Sequence, residues 1–81
     1  MDIDLNKLVR KALKELQEDR FLNLINLIMS IISTKKKIQI EEIIFEAKLN
    51  GYKDDEVYKA IEKLKHDRLV EELPNGFIRL L

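Results

Sequence analysis

The apolar positions of this chain recur with a helical period over its first 32 residues and then break into shorter units. Between Asp4 and Glu18 they are Leu5, Leu8, Val9, Ala12, Leu13 and Leu16. Steps of three and four mark one face of a helix. Asp4 suits the cap of that helix, and Lys7, Arg10, Lys11 and Lys14 fill the opposite side. The run FLNLINLIMSII, Phe21 to Ile32, follows with no Gly or Pro between, so the two segments can be continuous. Leu24, Leu27 and Ile31 continue the first stripe, while Leu22, Ile25, Met29 and Ile32 form a second. A helix apolar on two sides is expected between two layers. One side should meet the rest of the domain. The other is expected to be covered by residues 4–18, or else to face a partner.

The remaining elements are short. Ser33 to Lys37 is a polar, basic break, and Ile38-Gln39-Ile40 alternates as a very short strand does. Glu41 to Lys48 reads as a helix with acids in its first turn, stopped by Asn50-Gly51. A helix from Asp54 or Asp55 to about Asp67 should turn Val57, Ala60, Ile61 and Leu64 inward. Leu69 to Leu73 and Phe77 to Leu81 read as strands. Leu73-Pro74-Asn75-Gly76 joins them with the residue preferences of a type I turn.

A short helix, a tight turn and a longer helix form the helix-turn-helix signal. With the short first strand and the terminal hairpin, the order predicts a mainly α fold with a small β-hairpin (α+β). This is a winged helix-turn-helix with an extra N-terminal helix. Residues 1–20 are expected to form an amphipathic helix or linker, and residues 21–81 the winged-helix domain. The total of 81 residues leaves room for one domain only. A core of that size is marginal, so the fold must be locally well specified.

Charge narrows the partners. Fifteen Lys plus Arg cancel fifteen Asp plus Glu. Zero net charge argues against tight nonspecific nucleic-acid binding, which depends on phosphate neutralisation. The outward ridge of the second helix of the motif, Asp55, Lys59, Glu62 and His66, is half acidic, and that helix opens with Asp54, Asp55 and Glu56. Carboxylates at the end that normally approaches DNA repel it. Candidate DNA contacts are Lys35, Lys36 and Lys37, then Tyr58, Lys59, Lys63 and Lys65, and Arg79 in the wing. The lysine triplet is a solvated loop or a weak, salt-sensitive contact to phosphate or to an acidic protein. Tyr52 and Tyr58 are expected to pack rather than to stack on bases, and His66 to favour a helix C-terminus. Glu71 and Glu72 outweigh Arg79 and offer an acidic protein-contact edge.

Enzyme chemistry finds no purchase. Ser30, Ser33 and Thr34 lie beside no plausible His, and two glycines make no phosphate loop. The absence of Cys excludes thiolate chemistry and disulfides, and one His excludes a multi-histidine metal site. No catalytic residue, metal or cofactor is expected. The apolar run of twelve residues, interrupted by Asn23, Asn26 and Ser30, is short of the roughly 20 that span a bilayer. A cytoplasmic location and no membrane partner are expected.

From Phe21 to Leu81 the chain resembles the C-terminal winged-helix domain of archaeal minichromosome maintenance (MCM) replicative helicases. The likeness rests on the apolar first helix, Glu41-Glu42-Ile43-Ile44, the segment LNGYKDDEVYKAIEKLKHDRLV and the ending EELPNGFIRLL. These motifs are of low specificity. Asp67-Arg68 stands where many winged helices carry a Gly, which leaves the helix end unsettled. The resemblance implies a nucleoid-associated accessory module for DNA replication. It would lack ATPase residues and modulate the helicase ATPase core, or contact initiator proteins and weakly DNA. MDIDLNKL could then be a linker following the ATPase domain. The competing readings are a stand-alone transcription regulator that dimerises through residues 4–18 and reads DNA with Tyr58, Lys59, Lys63 and Lys65, and a structural adaptor using Glu71-Glu72.

Overall fold

A computed structural model of the chain describes the backbone of residues 5–81 and the side chains of residues 9, 10 and 16–81. Asp4 as a cap, and the side chains of Leu5, Lys7, Leu8, Lys11, Ala12, Leu13 and Lys14, lie outside what is described. The described chain is mainly helical with one small antiparallel sheet. Its order is α1 (Leu5–Ser33), β1 (Ile38–Gln39), α2 (Ile40–Leu49), α3 (Asp54–His66), β2 (Val70–Leu73), a short turn (Pro74–Gly76) and β3 (Phe77–Leu80).

α1 crosses the expected boundary at residue 20 without a break, because no Gly or Pro interrupts it. This overturns one expectation: residues 4–18 cannot fold back over residues 21–32, since residues 5–33 are one helix. At 1.5 Å per residue, its 29 residues extend about 43 Å, and the longest dimension of the molecule is 58 Å. What changes near residue 20 is burial. Leu16 to Arg20 are exposed, Phe21 is half-buried and Leu24 is buried. The second stripe is covered from inside the domain instead. Ile32 is buried, Ile25 and Met29 pack on the rim of the core, and Leu22 stays exposed. α1 touches α2, α3 and β3, the several neighbours that a helix apolar on two sides requires.

The sheet order is β1-β3-β2. β1 contributes only the pairs Ile38↔Ile78 and Gln39↔Phe77, while β2 and β3 pair from Val70↔Leu80 to Leu73↔Phe77. Side chains alternate across a strand, so Ile38, Val70 and Ile78 enter the core while Gln39, Glu71 and Arg79 face outward. The core is wholly aliphatic. Leu24, Ile28 and Ile32 of α1 meet Ile43 and Ala47 of α2 and Val57, Ala60, Ile61 and Leu64 of α3. Each large side chain buried this fully stabilises the fold by about 1.5–3 kcal/mol over its exposed state.

Two helix ends close in the same way. After α2, Tyr52 N–H donates to Ala47 O (3.0 Å) and Gly51 N–H to Lys48 O (3.0 Å), with Gly51 at φ 86°. After α3, Leu69 N–H donates to Leu64 O (3.0 Å) and Arg68 N–H to Lys65 O (3.1 Å), with Arg68 at φ 59°. Both are Schellman closures, which place one residue in the left-handed region. Arg68 therefore stands in a glycine position, and the helix end left open by Asp67-Arg68 is settled. The β2–β3 turn departs from its expectation. Asn75 has φ 66° and ψ 25°. A positive φ at the third position excludes a type I turn, and Asn tolerates it because of its short polar side chain.

Candidate interaction surfaces

The four residues of α3 expected to read DNA all lie on the side away from the core, in two rows: Tyr58 with Lys65 along one flank and Lys59 with Lys63 along the other. Successive residues turn by 100°, and the buried stripe Val57, Ala60, Ile61 and Leu64 fixes the orientation of the helix. Tyr58 lies on the flank toward the β2–β3 turn, sharing a cleft with Gln39, Ile40, Glu41, Asn75 and Gly76. Lys59 lies on the flank toward α1, in a cleft with Gln17, Arg20, Phe21 and Glu56. Lys63 pairs with Asp67 at 3.2 Å. Lys65 sits between Glu72 of β2 (3.0 Å) and Glu62 (3.3 Å). Hydrogen bonds to Glu72 and then to Glu62 raise the pKa of the Lys65 ammonium.

The other expected contacts are also engaged inside the chain. Lys35 bonds Glu42 at 3.1 Å. Lys37 lies over the Phe77 ring, 4.6 Å from its centre, a cation–π contact. Arg79 pairs with Glu71 across β2 and β3. Glu71 and Glu72, expected as a protein-contact edge, are thus partnered by Arg79 and Lys65. Of the expected contacts, Lys36, Lys37 and Lys59 have no ion-pair partner among the described residues. Lys37 and Tyr58 both reach the β2–β3 turn region. His66 is exposed, in the last turn of α3. Tyr52 packs against the core, while Tyr58 is largely exposed.

The best-built polar cluster joins residues 36 positions apart, which no local sequence pattern marks. Arg20 of α1 donates Nε–H to Glu56 Oε2 at 2.8 Å, Nη2–H to Glu56 Oε1 at 2.9 Å and Nη2–H to Gly51 O at 2.6 Å. Its guanidinium lies over Tyr52, 4.5 Å from the ring centre. Glu56, in the first turn of α3, also accepts the Lys53 N–H at 3.1 Å, which satisfies a donor at the start of that helix. Hydrogen bonding from Arg20, reinforced by the Lys53 N–H, lowers the Glu56 carboxyl pKa to about 2. The planar fork of arginine suits a bidentate carboxylate, and here it ties α1 to the α2–α3 turn. A lone Arg where the polar segment of α1 meets its apolar run, plus an acid at the third position of α3, were the available signals.

Among the described residues no three His, Asp or Glu side chains converge as metal ligands would, and no helix is long and apolar enough to cross a membrane. No known protein family, curated protein or solved structure matches the chain.

Proposed function

We propose that the chain is a non-catalytic winged-helix module of DNA replication, accessory to a helicase, acting through protein contacts with weak, sequence-independent help from DNA. The order α1–β1–α2–α3–β2–β3 and the sheet order β1-β3-β2 support the winged-helix reading, with β2 and β3 as the wing. One observation carries the preference for protein over DNA. Lys35, Lys63, Lys65 and Arg79 are held by acids of the same chain, and α3 begins with Asp54, Asp55 and Glu56. A cation paired at the surface gives up part of its attraction for a phosphate, and three carboxylates at that end oppose one. The resemblance of residues 21–81 to the archaeal MCM C-terminal domain supports a helicase ATPase core or an initiator protein as partner. The test is to add the chain to an archaeal MCM core lacking its own C-terminal domain. A changed ATPase or unwinding rate is expected, and unchanged rates count against the assignment.

A second reading is favoured by the exposure of Val9 and Leu16, 56% and 65%, on the projecting half of α1. It makes the chain a stand-alone winged-helix regulator that dimerises through α1. Light scattering that gives a dimer, together with submicromolar binding to one DNA sequence, would select it.

A further inference from the structure

We infer that the outer face of α2 docks a cationic amphipathic helix of a partner protein. This rests on the protein-contact reading above and assigns it a surface. α2 commits Ile43 and Ala47 to the core, with Ile40 and Ile44 at the rim. Phe45 and Leu49, one turn apart, lie on the opposite side and are 64% and 72% exposed. Neither contributes to the core.

Glu41, Glu42 and Glu46 frame this apolar ridge, and with Phe45 and Lys35 they line a shallow cleft. Like charges four residues apart, as at Glu42 and Glu46, weaken an isolated helix. Among the described residues only Lys35 reaches these carboxylates, at Glu42, while Lys48 turns away to Asp54 at 3.0 Å. The face thus combines an apolar centre with surplus negative charge. A helix with apolar side chains one turn apart, bordered by Lys or Arg, satisfies both at once. The α2 face of a second copy would set acid against acid, and phosphate would be repelled.

The test titrates two peptides into the isotope-labelled full chain, followed by NMR. One is an amidated Leu/Lys amphipathic helix about five turns long, and the other is its Leu/Glu counterpart. With the Leu/Lys peptide, shifts should centre on residues 39–50 and affinity should fall at least about tenfold between about 0.05 M and 0.5 M salt. Phe45→Ala with Leu49→Ala, both at exposed positions, should weaken binding about tenfold while leaving the rest of the spectrum intact. Glu41→Gln with Glu46→Gln should reduce the salt dependence. Shifts centred on α3, the β2–β3 turn or α1 would overturn the proposal, as would an equal response to the Leu/Glu peptide. Movement of the same resonances on simple dilution would assign the face to a second copy and also overturn it. If helicase rates respond to the chain while α2 stays silent, this surface fails and the module reading survives.

Discussion

Replacing Arg68 by glycine should stabilise the protein. Arg68 holds φ at 59° to close α3, the same role that Gly51 fills after α2 at φ 86°. A side chain with a Cβ in the left-handed region costs about 1–2 kcal/mol. Glycine removes that cost but brings about 0.5–1 kcal/mol of extra freedom to the unfolded chain. The difference leaves about 1 kcal/mol in favour of the variant. For a domain of this size that is a rise in melting temperature of roughly 4–8 °C. Arg68→Ala is the control, because it removes the guanidinium and keeps the Cβ. Gly51→Ala is the reciprocal control. An added Cβ there meets nothing within 4 Å, so its effect is conformational alone and should be destabilising by about 1 kcal/mol. Urea unfolding followed by circular dichroism measures all three, with the denaturant slope held as a check on two-state behaviour. If Arg68→Gly is no more stable than Arg68→Ala, the left-handed closure of α3 is wrong.

Burial makes a sharper contrast along α1 than sequence position does. Ile28→Ala should cost about 2–5 kcal/mol because its side chain is wholly buried, whereas Leu16→Ala should stay within about 0.5 kcal/mol in a monomer. Equal losses by calorimetry would mean that Leu16 is covered. The Glu56 carboxyl pKa falls from 4.5 to about 2 on folding, so its ionised form favours the folded state. That contribution is complete above about pH 5 and is lost as pH falls through 4.5 toward about 2. Glu56→Gln should flatten the stability curve in that window, and an unchanged acid limb in denaturation profiles at stepped pH would contradict the Arg20–Glu56 link.

The core was legible because few residue types can make it. Val57, Ile61 and Leu64 sit at helical spacing in a helix otherwise polar apart from Ala60 and Tyr58, and they pack inward as that spacing requires. The hairpin was legible from its Pro-Asn-Gly turn, but the turn type was not, since Asn is compatible with both signs of φ. The path of α1 was misjudged because apolar residues on two sides ask for two layers without saying which segment supplies them. α2, α3 and β3, distant in sequence, supply them. Arg20 escaped notice because pairing over 36 residues leaves no local pattern. Lys35 and Arg79 look available to DNA for the same reason, whereas Lys63 and Asp67 are an i,i+4 pair that the helical period itself brings together. Glu42, Glu71 and Glu72 become neighbours of Lys35, Arg79 and Lys65 only by chain folding and strand register.

The preference for protein over DNA is tested most directly by fluorescence anisotropy of labelled duplexes of unrelated sequence, titrated with the full chain across a range of salt. Weak binding, around 10⁻⁴–10⁻⁶ M, is expected, with no sequence preference and a salt slope of about three or less. Lys35→Glu, Lys36→Glu and Lys37→Glu together should abolish it. Submicromolar binding of one sequence at physiological salt, retained when those three lysines are reversed, would contradict the account.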